Sequence, residues 1–84
     1  MKNKLLITVY VPMIEREFDI YIPIVQKVGV IKKMIGKIVE EDTDSVFEYN
    51  ENKHLYDKST GEMINENEFV KFSIIKNGSR LILY

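Results

Sequence analysis

The chain predicts an α+β layer fold, in which one helix is laid across one face of a small sheet. Three observations carry that prediction. Apolar residues alternate with a period of two near both ends of the 84-residue sequence, and the period changes to a helical one a single time, between them. A lone helix with one apolar stripe then needs one sheet face to cover, and that requirement defines the layers.

The elements follow in order. Residues 4–12 (KLLITVYVP) put Leu5, Ile7, Val9 and Val11 on one face and Leu6, Thr8 and Tyr10 on the other, a strand with two apolar faces. After a polar turn at Glu15-Arg16, residues 17–24 alternate again, with Phe18, Ile20 and Ile22 inward and Asp19 and Tyr21 outward, so the two runs predict a hairpin. Pro23 cannot donate a ladder hydrogen bond, which places this second strand at a sheet edge or ends it there. From Val28 to about Glu41, Ile31, Met34, Ile35, Ile38 and Val39 form the apolar stripe of an amphipathic helix, while Lys32, Lys33, Lys37, Glu40 and Glu41 are expected to face water. No Ser, Thr, Asp or Asn stands at its start, and Glu40, Glu41 and Asp42 sit where the macrodipole favours cations, so packing must hold it. Gly36 inside the helix costs about 1 kcal/mol relative to Ala and predicts close approach of another backbone.

Residues 42–52 read as a loop with one turn of helix. Two short strands, 53–57 and 62–64, flank Lys58-Ser59-Thr60-Gly61, whose small polar residues suit a turn. Phe69, Val70, Phe72, Ile74 and Ile75 lie in an irregular or briefly helical segment, and Asn77-Gly78 leads into a last strand at 80–84. The order is β-β-α-β-β-β, and residues 1–84 read as a single domain.

Composition narrows the function classes. The absence of Cys excludes disulfides, thiolate metal sites and a Cys nucleophile. Twelve basic against 13 acidic residues give a formal charge of -1, so no charge excess draws the chain to nucleic acid. The basic and apolar start resembles a signal peptide, but Pro12 interrupts it and Glu15-Arg16-Glu17 follows without a small-residue cleavage site. The run is also too short for a membrane helix, and the expectation is a cytoplasmic protein with no membrane insertion. Ile, Lys and Asn supply 28 of the 84 residues, a bias of AT-rich bacterial genomes.

The ordered set of opening hairpin, helix stripe at Ile31 and Ile35, Leu55-Tyr56, the Gly61 turn and Asn77-Gly78-Ser79-Arg80-Leu81-Ile82-Leu83 resembles a β-grasp protein of the ubiquitin superfamily. The resemblance implies a mixed sheet of four to five strands packed on one helix, in order 2-1-5-3-4, with the first and last strands parallel at the centre. Leu5, Ile7, Val9, Leu55, Leu81 and Leu83 would then face the helix. Within the superfamily the chain is similar to the small YukD-like proteins encoded with type VII (Trp-X-Gly-protein) secretion systems, which implies an accessory or regulatory role through protein binding and no reaction. Ubiquitin and the sulfur carriers end in a flexible Gly-Gly tail that enters an enzyme's active site. This sequence ends at Leu83-Tyr84, which disfavours a carrier unless further residues follow. A small effector subunit of a multicomponent enzyme is the rival of a different class. The β-grasp ferredoxins are excluded by the lack of Cys.

Nothing in the residues carries catalysis. His54 is the one histidine and, without an acidic cluster at ligand spacing, reads as a strand-surface residue; neither a cofactor nor a metal is implied. Glu40, Glu41, Asp42 and Asp44 lack the Gly and spacing of a calcium loop, Lys27, Lys32, Lys33 and Lys37 read as a solvated helix face, and the four glycines are scattered singly. The informative surface is the sheet face away from the helix. Alternation sends Leu6, Thr8, Tyr10, Tyr56, Ile82 and Tyr84 there, joined by His54 and Arg80, and in ubiquitin the corresponding face is the main recognition patch. Aromatics and Arg are enriched at binding hot spots, so the expected ligand is a protein, with the oligomeric state left open.

Overall fold

The computed structural model describes residues 3–84; Met1 and Lys2, where the basic start begins, lie outside them. Strand β1 (Lys4–Val11) and strand β2 (Arg16–Pro23) form the expected antiparallel hairpin. Pro12 opens a single 3-10 turn, Pro12–Ile14, whose exit Glu15 takes a left-handed φ of 52°, and this tight corner stands where a simple polar turn was expected. Helix α1 (Val28–Asp42) follows, then strand β3 (Leu55–Asp57), a 3-10 turn at Val70–Phe72 and strand β4 (Arg80–Leu83). The sheet has four strands in the order β2-β1-β4-β3, with β1 and β4 parallel at its centre and every other pair antiparallel. This is the ubiquitin-like β-grasp fold.

The run 62–64 does not make a fifth strand: it touches the sheet through one isolated bridge, Tyr56 to Met63. Strand β3 is correspondingly short and begins at Leu55 instead of residue 53. The Asp57 carboxylate accepts from the Ser59 and Thr60 hydroxyls and turns the chain back into that bridge, and Asn65, whose side chain accepts from the Asn67 N–H, turns it away again before a ladder can extend.

The core sits between the helix and one sheet face. Ile7, Val9 and Val11 of β1, Ile20 and Ile22 of β2, Leu55 of β3 and Leu81 and Leu83 of β4 meet Val28, Ile31, Ile35 and Val39 of α1, while Phe47, Ile64, Val70 and Ile75 from the connections close its ends. Three helix expectations need correction. Ile38 is exposed and Met34 only half-buried, since the apolar stripe is narrower than the periodicity implied. Lys32 faces inward, with 2% of its surface exposed, because its ammonium reaches Glu66 at 3.1 Å and the Glu51 carbonyl at 3.3 Å beneath the 51–66 connection. At Gly36 the close neighbour is the ring of Tyr49, not a backbone.

A side-chain cap at the start of α1 is absent, as its sequence implies, and the fold supplies one instead. The Val28 and Gly29 N–H groups donate to the carbonyls of Glu68 and Glu66, so the 66–68 loop satisfies the orphan donors of the first turn. At the other end the Thr43 hydroxyl donates to the Val39 carbonyl and accepts from the Phe47 N–H, which carries the chain straight into a buried Phe47.

Candidate protein-binding face

Strand register determines which of the expected residues meet. Tyr10 opposes Glu17 on one side and Ile82 on the other, and Ile82 opposes Tyr56, so Glu17, Tyr10, Ile82 and Tyr56 form one row across all four strands. One step along, Asp19, Thr8 and Arg80 form a second row, extended by Lys58, whose N–H donates to the Arg80 carbonyl at 2.9 Å. Beyond the first row, Tyr84 and His54 exchange both backbone hydrogen bonds, at 2.9 and 3.0 Å. Their neighbours Leu55, Leu81 and Leu83 are buried under the helix, so alternation turns these rows to the opposite face.

Tyr56, Ile82 and Tyr84 line a shallow hollow of about 400 Å³, open at Gly61, where an added Cβ would meet nothing within 4 Å. Tyr56 and Ile82 are half-buried and form its floor, while Tyr84 stands 70% exposed. A second hollow of about 570 Å³ adjoins it, where Met13, Lys53 and His54 meet Tyr56 and Tyr84. The rim is cationic. The Lys58 ammonium stacks 5.3 Å from the Tyr10 ring centroid, and both it and the Arg80 guanidinium lie 3.9 Å from the Glu17 carboxylate. At that separation and exposure the pairs contribute little, and both cations stay available to a ligand.

The other expected residues are placed differently. Leu6 opposes Tyr21 at the far end of β1, four positions from Tyr10, and so lies outside the hollow. The Thr8 hydroxyl donates to Asp19 at 2.8 Å, which satisfies it within the sheet. His54 does have an acidic partner: its Nδ1 lies 2.9 Å from Glu66 Oε2, and since a carboxylate can only accept, Nδ1 carries the proton. Burial raises the Glu66 pKa, but hydrogen bonds from His54 and Lys32 outweigh it and hold the carboxyl below the ordinary glutamate value. Two of the three groups are cation or donor, so the cluster fastens the β3 entrance to the helix and is not a ligand set for a metal. Among the described residues no group of three or more His, Cys, Asp or Glu converges.

The sequence reading missed Glu17, Lys53, Lys58 and Met13. Lys58 was within its reach, since it stands two positions after Tyr56 and shares its face. Met13 was not, because the 3-10 turn that presents it has no periodicity to read. Chemically, the face offers an apolar floor for a side chain and cations for flanking carboxylates.

No protein-family model and no curated protein matches the chain. Solved structures do resemble it. A chain of an ESX-5 inner membrane complex superposes with a TM-score of 0.80 over 98% of this chain at 12% identity; the match covers 21% of that longer chain. The ubiquitin-like domain of the Mycobacterium tuberculosis type VII secretion protein EccD1 gives 0.71 at 10% identity, covering 95% of this chain and 96% of that one. Ubiquitin of Caldiarchaeum subterraneum gives 0.70 at 11% identity over 95% and 90%. At such identities the likeness is one of fold.

Proposed function

We propose that this chain is a non-catalytic protein-interaction module, an accessory or regulatory component of a type VII secretion system, which binds its partner through the outer sheet face. The observation that carries the reading is the row of Tyr10, Ile82 and Tyr56 with Tyr84 beside it, left bare by the helix and rimmed by Arg80, Lys58 and Lys53. Aromatic groups over a half-buried apolar floor are what a hot spot needs, and fixed strands hold them without ordering cost on binding. Likeness in fold to a ubiquitin-like domain of a type VII secretion protein supports the choice of system. The partner is then a secretion component, engaged where this chain meets the cytoplasm. No helix among the described residues is long and apolar enough to cross a membrane.

The test is co-purification of the tagged chain with the ATPase and membrane components of a type VII secretion system. Tyr56→Ala with Tyr84→Ala should abolish capture while the circular dichroism spectrum and melting curve stay near those of the parent. Undiminished capture by the folded double variant would remove the face. Co-purification with an oxygenase hydroxylase instead would transfer the chain to the effector class.

A further inference from the structure

A second pair of surfaces lies at the two ends of the helix. At its start, the segments 24–27 and 69–72 are laced together: the Val70 and Lys71 N–H groups donate to the Gln26 and Ile24 carbonyls at 2.9 and 3.1 Å, and Lys27 bridges Phe69. The Phe72 N–H closes a three-residue turn on the Phe69 carbonyl, and both rings stand at the surface. Phe72 is 74% exposed, and the Lys71 ammonium stacks 5.1 Å from its ring, as Lys27 does 5.9 Å from Phe69. The result is an aromatic knob carrying cations, with Glu68 as the nearest acid in the chain.

At the other end, beyond Asp42, there is a hollow of about 550 Å³. Met13 and Ile14 from the 3-10 turn and Val46 from the helix exit give it apolar walls, and Asp42, Asp44 and Arg16 stand around its rim. Met13 is 65% and Val46 71% exposed. Arg16 holds Asp42 at 2.9 Å, whereas Asp44 makes no ion pair among the described residues. The fifteen residues of α1 separate knob from hollow by about 22 Å at 1.5 Å per residue, so no copy can fill its own hollow.

We infer that copies of this chain associate head to tail, the Phe72–Lys71 knob of one seated in the Met13–Ile14–Val46 hollow of the next. Ring meets thioether and methyl groups, and Lys71 meets Asp44, so shape and charge match together. Knob and hollow are different surfaces, which makes the contact heterologous and the product an open chain or ring of copies, not a two-fold pair. Only a handful of side chains meet in this contact, and the association is transient.

Sedimentation velocity over a concentration series up to about 1 mM, a range suited to weak contacts, tests it. The parent's weight-average mass should climb with concentration, and the climb should weaken in high salt. Phe72→Ser and Val46→Lys both alter exposed side chains and keep the fold; each should weaken self-association by about tenfold or more. Mixed in equal amounts, the two variants should form pairs and nothing longer, since the knob of one and the hollow of the other survive. A parent that stays monomeric throughout overturns the inference, as does self-association of Phe72→Ser at the parent's strength or a mixture that makes no pairs. Binding to anionic vesicles by a monomeric parent would assign the knob to a lipid surface and equally refute it.

Discussion

Gly36→Ala is the substitution whose outcome this fold reverses. In a helix interior Ala is favoured over Gly by about 1 kcal/mol, so propensity alone expects a gain. An added Cβ, however, would stand 2.5 Å from Tyr49 Cγ and 2.7 Å from Cε1, and closer still to Cδ1. The ring cannot slide aside cheaply: the Tyr49 N–H donates to Glu40 Oε2 at 2.9 Å, and the side chain packs against the core with its hydroxyl buried and unpartnered. Burial raises the pKa of that hydroxyl, and the nearby Lys32 charge only partly opposes this. Overpacking typically costs about 1–3 kcal/mol, so after the propensity gain of about 1 kcal/mol we expect a net loss of up to about 2 kcal/mol. For a chain of this size that is a fall of up to about 16 °C in Tm. Urea unfolding followed by circular dichroism measures it directly. The decisive comparison is made in a Tyr49→Ala background, where the obstacle is gone and Gly36→Ala should instead stabilise by up to about 1 kcal/mol. Equal effects in the two backgrounds, or a gain in the parent, would refute the reasoning.

Lys32→Met should change unfolding free energy by less than about 1.5 kcal/mol, because a flexible apolar chain of similar length replaces a buried ammonium and Glu66 keeps His54. Glu66→Gln should cost about 2–3 kcal/mol in the same urea titration, less than for a fully interior pair because Glu66 is partly open to water, since it leaves that ammonium without its counter-charge. The acid limb of stability should respond as well. The folded pKa of Glu66 lies below its ordinary 4.5, so its contribution is complete above that value and is lost as pH falls through the folded one; Glu66→Gln should flatten this part of a Tm-against-pH profile. Asp57, lowered by the Ser59 and Thr60 hydroxyls, adds a slope of the same sign that survives in the variant.

Periodicity made much of this legible. The alternation of β1, β2 and β4 assigned the inward residues correctly, and the helix stripe located Ile31, Ile35 and Val39, because burial on one face leaves a repeating trace. The errors fall where a residue's environment is set from far along the chain. Lys32 has a solvent-facing residue's chemistry, and its burial depends on a carboxylate 34 positions away. His54 was read without Glu66 for the same reason. Residues 62–64 look like a strand locally, but the Asn65 turn just beyond them, a side-chain competitor for the backbone, leaves the pairing at one bridge. Of the candidate face, Tyr10, Tyr56, Ile82, Tyr84 and Arg80 converge as alternation implies, whereas Leu6 shares their side but not their neighbourhood, a distinction that only register makes.

The parallel pairing of β1 with β4 has a consequence for synthesis. Thr8, Val9 and Tyr10 find their partners at Arg80, Leu81 and Ile82, so the middle of the sheet waits until residues about seventy positions later have left the ribosome. Until then the opening hairpin carries Ile7, Val9 and Val11 uncovered and one unpaired strand margin, the features that recruit chaperones and proteases. Nascent chains arrested short of residue 80 should therefore be degraded rather than accumulate, and only completed copies should escape that surveillance.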